Sequence, residues 1–75
     1  MFTIMLINPT KILFKGTAKS VQLPGENGTF EILSFHKRLI SRLVRGEVII
    51  DAQAIPIERG IAKVDRDSVS IVVEQ

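Results

Sequence analysis

One histidine and eight carboxylates are the side chains of this chain that could carry out acid–base or metal chemistry. A single imidazole, His36, cannot by itself build a metal centre or a catalytic triad, and the nearby Glu31 and Lys37 supply no nucleophile oriented by a base. The acidic residues fall in turn segments or at outward positions of predicted strands, where charge keeps sheet edges soluble. The absence of cysteine also removes a Cys-based metal or redox site. We therefore predict no catalytic residues, no metal and no cofactor, and a surface or hydrogen-bonded structural role for His36.

The segment Pro24-Gly25-Glu26-Asn27-Gly28 is the strongest turn signal in the chain. Pro24 fixes φ at about −65°, and Gly25 and Gly28 can adopt positive φ, so the segment favours a connection between two strands. It is not a phosphate-binding loop, because neither a Gly-Lys-Ser/Thr end nor a helix N-terminus follows it. A solvent-exposed turn and a docking loop are the two interpretations left open.

Four cations form a basic cluster: Lys37, Arg38, Arg42 and Arg45. Such a cluster is usually a solvated surface. The more specific alternative is that it binds an acidic partner or anionic lipid headgroups. Nucleic acid is a weaker hypothesis, because the net charge is only +2 and the four phenylalanines form no stacking platform. One functional hypothesis is therefore a stand-alone β module that recognises an acidic partner through this cluster. A small hydrolase or isomerase is a more distant one.

Turn residues recur at intervals of about 8 to 14 residues, which is typical of an all-β sandwich or barrel. Apolar residues alternate along the predicted strands. Their inward sets are Phe2, Ile4 and Leu6; Val48 and Ile50; Ile55 and Ile57; and Val69, Ile71 and Val73. Because Pro56 cannot donate to a ladder, its strand is predicted at a sheet edge or beside a bulge. Hairpins are predicted at Asp51-Ala52 and at Asp65-Arg66-Asp67.

Residues 34–46 carry conflicting signals. Ser34 could cap a helix and Gly46 could end it. The apolar residues between them have helical spacing: Leu39, Ile40, Leu43 and Val44. The residues alone leave a helix and an extended segment open.

The length of 75 residues predicts one domain, residues 1–75, that buries only about 60% of its unfolded surface. Such a domain is marginal alone, so a permanent partner would stabilise it. The 45% hydrophobic content favours half-buried strands over disorder. No apolar stretch approaches the roughly 20 residues of a membrane span, and the N-terminus lacks signal-peptide features, so we expect a soluble cytoplasmic product.

The segment from Val21 to His36 resembles the N-terminal domain of the F-type ATP synthase epsilon subunit, in which a Leu-Pro-Gly-Glu-x-Gly-x-Phe-x-Ile-Leu-x-x-His run joins two strands. Other ordered matches extend the likeness over essentially the whole chain. Residues 7–9 and 14–16 resemble the family's opening hairpin, residues 46–50 its Gly-x-Val-x-Ile strand, and residues 57–64 its Ile-x-x-Gly-x-x-x-Val run.

The resemblance implies a flattened sandwich of two antiparallel sheets, with an irregular bend and then a strand over residues 34–46. It also implies a rotor subunit of the central stalk that performs no chemistry. Such a subunit couples the gamma subunit to the membrane c-ring, so that torque from proton or sodium flow reaches the catalytic head. We therefore expect a location at the cytoplasmic face of the cell membrane, peripheral and without direct insertion.

Two interfaces are expected on this basis. The resemblance implies gamma contacts at Asn8, His36 and Ser41. It implies c-ring contacts at the turn, namely Glu26, Asn27, Gly28 and Thr29. Met5, Ile7 and Val72 are apolar residues on faces that an isolated sandwich would expose to solvent. We therefore add them to the expected gamma interface.

Two departures from the family pattern affect these expectations. Where many members have Pro-Gly-His-Ala-Pro-Leu, residues 34–39 read Ser-Phe-His-Lys-Arg-Leu, which replaces small and rigid residues with bulky and charged ones. The sequence also stops at Gln75, directly after the last predicted strand. We therefore expect neither the family's C-terminal helical hairpin nor the inhibition of ATP hydrolysis and the ATP binding associated with it.

Overall fold

The alternating apolar segments form β-strands in the computed structural model, which describes residues 1–33 and 37–75. Within those residues there are nine strands and no helix. The strands are β1 Phe2–Ile7, β2 Ile12–Ala18, β3 Val21–Gly25, β4 Gly28–Ile32, β5 Leu39–Leu43, β6 Gly46–Ile50, β7 Gln53–Ile57, β8 Arg59–Asp65 and β9 Ser68–Glu74. The predicted all-β architecture is confirmed.

The strands are joined into one curled sheet with two halves. One half has the order β2-β1-β9-β8-β5, and the other consists of β3, β6 and β7 with β4 on the free side of β3. The inner faces of both halves contribute to a single apolar core, as expected for a sandwich. The ladders are antiparallel with one exception, since β1 and β9 pair in parallel. The alternation of apolar and polar residues within a strand does not reveal whether the strand pairs with its neighbour in parallel or antiparallel.

The two halves meet where β5 bends into β6. The start of β3 pairs with β6 at Val21 and Gln22, and its end pairs with β5 at Gly25. The backbone N–H of Val44 donates to the carbonyl of Pro24 at 2.8 Å, which holds the bend against β3. A Cβ on Gly46 would lie only 2.8 Å from Cβ of Pro24, so the bend requires a residue without a side chain.

The core contains the inward sets that alternation predicted. In β1 the inward residues Phe2, Ile4 and Leu6 expose at most 3% of their surface. The inward residues of β6 and β9 are likewise buried: Val48, Ile50, Val69, Ile71 and Val73. Among the described residues, no polar or charged residue is buried. Stability therefore depends on packing of aliphatic side chains and on the backbone ladders.

The tight turns agree with the predicted hairpins, but the reason for glycine at position 25 differs from the predicted one. Asp51 and Arg66 begin two-residue loops with φ of 53° and 56°, and Gly28 follows the β3–β4 loop with φ of 119°. Gly25 does not have a positive φ. It must be glycine because a Cβ there would lie 2.7 Å from Cε1 of Phe30.

The ambiguous segment is extended wherever it is described. Leu39–Leu43 is a strand paired with β8, which excludes a helix over those residues. Of the segment 34–46, in which a bend was predicted before the strand, residues 34–36 lie outside the described residues. Pro56 lies in β7 at the end of the strand order, so its prediction at an edge is confirmed. Across residues 1–33 and 37–75, no helix has the length and apolar character needed to cross a bilayer.

Candidate interaction surface

The most distinctive surface is the side of β2, β1, β9, β8 and β5 that points away from the core, here called the outer face. Cross-strand register aligns one residue from each of these strands. This outer row runs Ile12, Ile7, Val72, Ile61 and Arg42. Four aliphatic side chains thus lie side by side on a surface where alternation normally places polar residues.

The outer row is open to solvent over most of its length. Ile12, Ile61 and Val72 expose 56%, 54% and 52% of their surface, and Ile7 is half-buried. Met5, also half-buried, lies in the next row between Lys15 and Ser70. A contiguous apolar patch of this kind is typical of a protein contact site. The predicted gamma-contact residues Met5, Ile7 and Val72 therefore share one surface.

A shallow groove of about 540 Å³ lies beside the C-terminal end of β9 on this face. Pro9, Ile61 and Val72 are among its apolar lining residues, and Arg42 also lines it. Its remaining charged residues, Arg59 and Glu74, pair with each other through Nε and Oε1 at 2.6 Å. The groove extends the outer row. Among the described residues, Arg42 is the only charged side chain lining this groove that forms no ion pair.

Asn8 has a structural function in the β1–β2 connection. Its Oδ1 accepts hydrogen bonds from the backbone N–H groups of Thr10 at 2.9 Å and Lys11 at 2.8 Å, and from the Thr10 hydroxyl. Its Nδ2 donates to Oε1 of Gln75 at 3.2 Å. These bonds account for Asn8 without a partner, and its contact with gamma remains a prediction.

The predicted c-ring contacts cluster at the tip of the β3–β4 hairpin. Glu26, Asn27, Gly28 and Thr29 are all exposed there. They line a second groove, of about 360 Å³, together with Ser41. Ser41 opposes Ala62 on the inward-directed side of β5, so it lies with the hairpin and not with Met5, Ile7 and Val72. His36, the remaining predicted gamma contact, lies outside the described residues.

The basic cluster is divided between separate ion pairs. Arg38 pairs with Asp65 at 3.0 Å, and Arg45 pairs with Glu58 at 3.6 Å. Because Glu58 and Asp65 are seven positions apart along an extended chain, these two pairs are separated by about 20 Å. Arg38 and Arg45 therefore do not share one patch, which weakens the hypothesis of a module that binds an acidic partner through Lys37, Arg38, Arg42 and Arg45 together.

The described residues offer little support for a catalytic or metal site. Within residues 1–33 and 37–75, no group of three or more His, Cys, Asp and Glu side chains is placed to hold a metal ion. The carboxylates there are exposed or half-exposed, so none is held in a dry pocket of the kind that tunes an acid or base. The hydrolase hypothesis gains nothing from this geometry.

Sequence reasoning did not single out Ile12 or Ile61, and it assigned Arg42 only to the basic cluster. A signal for Ile61 was available, because it alternates with the buried Ala62 and Val64 and occupies a position that should be polar. The alignment of these residues with Ile7 and Val72 depends on the order of the strands, which the sequence did not provide.

The fold defines a small β-sandwich domain with an exposed apolar face. Residues 1–75 match the family described as the beta-sandwich domain of the ATP synthase delta/epsilon chain, and the chain belongs to this family. ATP synthase epsilon chains from Campylobacter jejuni and Endomicrobium trichonymphae are each 34% identical to it, over 92% and 97% of this chain. The chain spans just over half the length of these relatives, 57% and 56%.

Solved structures agree on the fold. A chain in the central stalk and c-ring of the Tetrahymena thermophila mitochondrial ATP synthase superposes with a TM-score of 0.81, at 15% identity, over 99% of this chain and 63% of that one. A chain of the Euglena gracilis mitochondrial ATP synthase gives 0.88, at 15% identity, over 99% and 51%. The predicted sandwich class is thereby confirmed.

Proposed function

We propose that this chain is a non-catalytic central-stalk subunit of an F-type ATP synthase, which couples the gamma subunit to the membrane c-ring. Membership of the delta/epsilon family supports the complex. The observation that carries the proposal is the aliphatic outer row, an exposed apolar surface on a small domain that benefits from a permanent partner. The subunit would act by shape-complementary contact and perform no bond chemistry.

In this proposal the gamma subunit packs on the outer face. Met5, Ile7 and Val72 supply apolar contact area, and the groove beside Pro9 accepts a protruding side chain. Burial of Ile12, Ile61 and Val72 would remove aliphatic surface from water at about 25 cal/mol per Å². Asn8, His36 and Ser41 are further proposed contacts that rest on the family resemblance alone.

The c-ring contact is assigned to the β3–β4 hairpin. Glu26, Asn27, Gly28 and Thr29 are exposed at its tip, where a two-residue loop between paired strands presents them to a partner. The domain would then lie at the cytoplasmic face of the cell membrane and be held there by the complex.

Binding to the gamma subunit encoded in the same genome tests this function. The two proteins should copurify when co-expressed, and isothermal titration calorimetry should show a negative heat-capacity change from apolar burial. If the folded chain shows no binding to that gamma subunit at micromolar concentrations, the proposal is wrong. Capture by an acidic protein that is lost on reversing Arg38 and Arg45 would favour the alternative module.

A further inference from the structure

We infer that the outer face recognises an acidic, aliphatic segment of the gamma subunit, and that Arg42 selects it by pairing with a carboxylate. This inference rests on the proposed function and specifies the chemistry of its partner surface. Arg42 continues the outer row directly, since it opposes Ile61 across the β5–β8 ladder. A partner that covers Ile61 and Val72 therefore brings its own atoms to the guanidinium.

The charge balance of the outer face indicates the sign of the partner. Its acids, Asp65 and Glu74, already pair with Arg38 and Arg59. Three cations of the same face have no ion pair among the described residues: Lys15, Lys63 and Arg42. The face thus presents aliphatic side chains flanked by uncompensated positive charge, and a complementary surface carries carboxylates around an apolar ridge.

Arg42 is the best placed of these cations to form a specific pair. It lines the groove that also contains Ile61 and Val72, so a carboxylate bound there would be partly shielded from water. Arg42 also lines the second groove with Glu26, whose backbone N–H donates to the Arg42 carbonyl at 3.3 Å, yet the two side chains form no ion pair. A guanidinium offers two parallel donors to a carboxylate, which gives the contact direction as well as strength.

The same charges argue against a second copy of this chain as the occupant. Pairing two outer faces would bring Lys15, Lys63 and Arg42 of each copy against like charges, with no free acid on either side to compensate. Self-association through this face is therefore disfavoured, and the gamma subunit is the occupant to which the inference commits.

Two substitutions of Arg42 test the pairing, with a charge-matched control. The Kd for the gamma subunit is measured by calorimetry for the wild-type chain, Arg42→Gln, Arg42→Glu and Arg66→Glu. Arg66 lies in the β8–β9 turn, at the far end of β8, and also has no ion pair among the described residues. We expect Arg42→Gln to weaken binding about tenfold, Arg42→Glu to weaken it further, and Arg66→Glu to change Kd less than about threefold.

A charge swap identifies the partner residue. Acidic residues of the gamma subunit are changed one at a time to Lys, and one such variant should restore most of the affinity of Arg42→Glu. Circular dichroism and the melting temperature establish that each variant is folded, and Arg42→Gln keeps the test decisive if charge reversal near Glu26 disturbs the fold.

The failure modes are distinct. Wild-type Kd values for both Arg42 variants, or an equal loss in Arg66→Glu, would overturn the selective pairing while leaving the proposed function intact. A folded wild-type chain that does not bind gamma at all would overturn the proposed function. A dimer in light scattering that Arg42→Glu converts to monomer would assign the outer face to a second copy instead.

Discussion

Ile61 and Val72 lie directly opposite each other across the β8–β9 ladder, and each exposes more than half of its surface to solvent. Cross-strand aliphatic pairs stabilise a ladder modestly, but a Thr pair would do so without exposing apolar surface. On the other side of the same strands, Ala62 and Ile71 are fully packed in the core. The exposed pair is thus not needed to complete the core, and its apolar surface is available for the partner contact proposed above.

Val72→Glu is predicted to separate binding from folding. The side chain points to solvent, so the free energy of unfolding should fall by less than about 1 kcal/mol. A carboxylate at the centre of the outer row would lose its hydration when gamma docks, so binding should weaken at least about tenfold. Titration calorimetry and thermal melts give both quantities. Ala54→Glu, on the edge strand β7, adds the same charge away from the outer face and should bind normally.

Gly46→Ala is predicted to destabilise the domain by about 1–3 kcal/mol, because its Cβ would collide with the rigid ring of buried Pro24 at 2.8 Å. Gly16→Ala is the matched control, since its Cβ would make ordinary contact with the Phe14 ring at 3.6 Å. Urea denaturation measures both. Equal stability of the two variants would show that the β5–β6 bend relaxes at no cost.

Asp51→Ala is predicted to cost about 1–2 kcal/mol. Oδ1 of Asp51 accepts hydrogen bonds from the backbone N–H groups of Lys19 and Ser20 at 3.0 and 3.1 Å, which ties the β6–β7 turn to the β2–β3 connection. Asp51 also has a φ of 53°, a conformation that Ala tolerates less well than Asn. Asp51→Asn keeps both the acceptor and the backbone preference, so it should retain most of the stability in the same denaturation experiment.

Leu6→Ala is predicted to cost about 2–5 kcal/mol, because Leu6 is fully buried between the halves of the sandwich. In a domain of this size that is a large part of the total stability. Ile12→Ala, on the neighbouring strand, removes a side chain that is 56% exposed and should cost much less. A comparable loss in both variants, measured by thermal unfolding, would contradict the assignment of inner and outer faces.

The Arg59–Glu74 pair is predicted to contribute less than about 1 kcal/mol despite its 2.6 Å contact. Both side chains are more than half exposed, so solvent and salt screen the attraction. A double-mutant cycle with Arg59→Ala and Glu74→Ala measures the coupling energy. A coupling energy above 2 kcal/mol (about twice the upper end for exposed pairs) would show that the pair is more rigid than its exposure indicates.

Much of the strand pattern is predictable from residue types and their order along the chain. Phe2, Ile4 and Leu6 alternate with period two, and burial of one face follows from that period. The hairpin at Asp51-Ala52 and the edge position of Pro56 follow from the chemistry of single residues. The interaction sites were harder to predict from the sequence. Asn8 was predicted as a partner contact, and its hydrogen bonds to Thr10 and Lys11 depend on the folded geometry of the turn.

Ser41 illustrates the limit, since residue types did not show that it lines a groove with the hairpin residue Glu26. Its contact with gamma stays a prediction. Which strands become neighbours depends on contacts between residues far apart in sequence, and these have no local signature. The sequence by itself determined most of the strands, the turns at Asp51-Ala52 and Asp65-Arg66-Asp67, and the core faces of β1, β6, β7 and β9, because these depend on one residue or on its near neighbours. It left the strand Leu39–Leu43 open. Only the tertiary structure decided the parallel β1–β9 ladder and the alignment of Ile12, Ile7, Val72, Ile61 and Arg42, because strand order arises from the packing of the whole core.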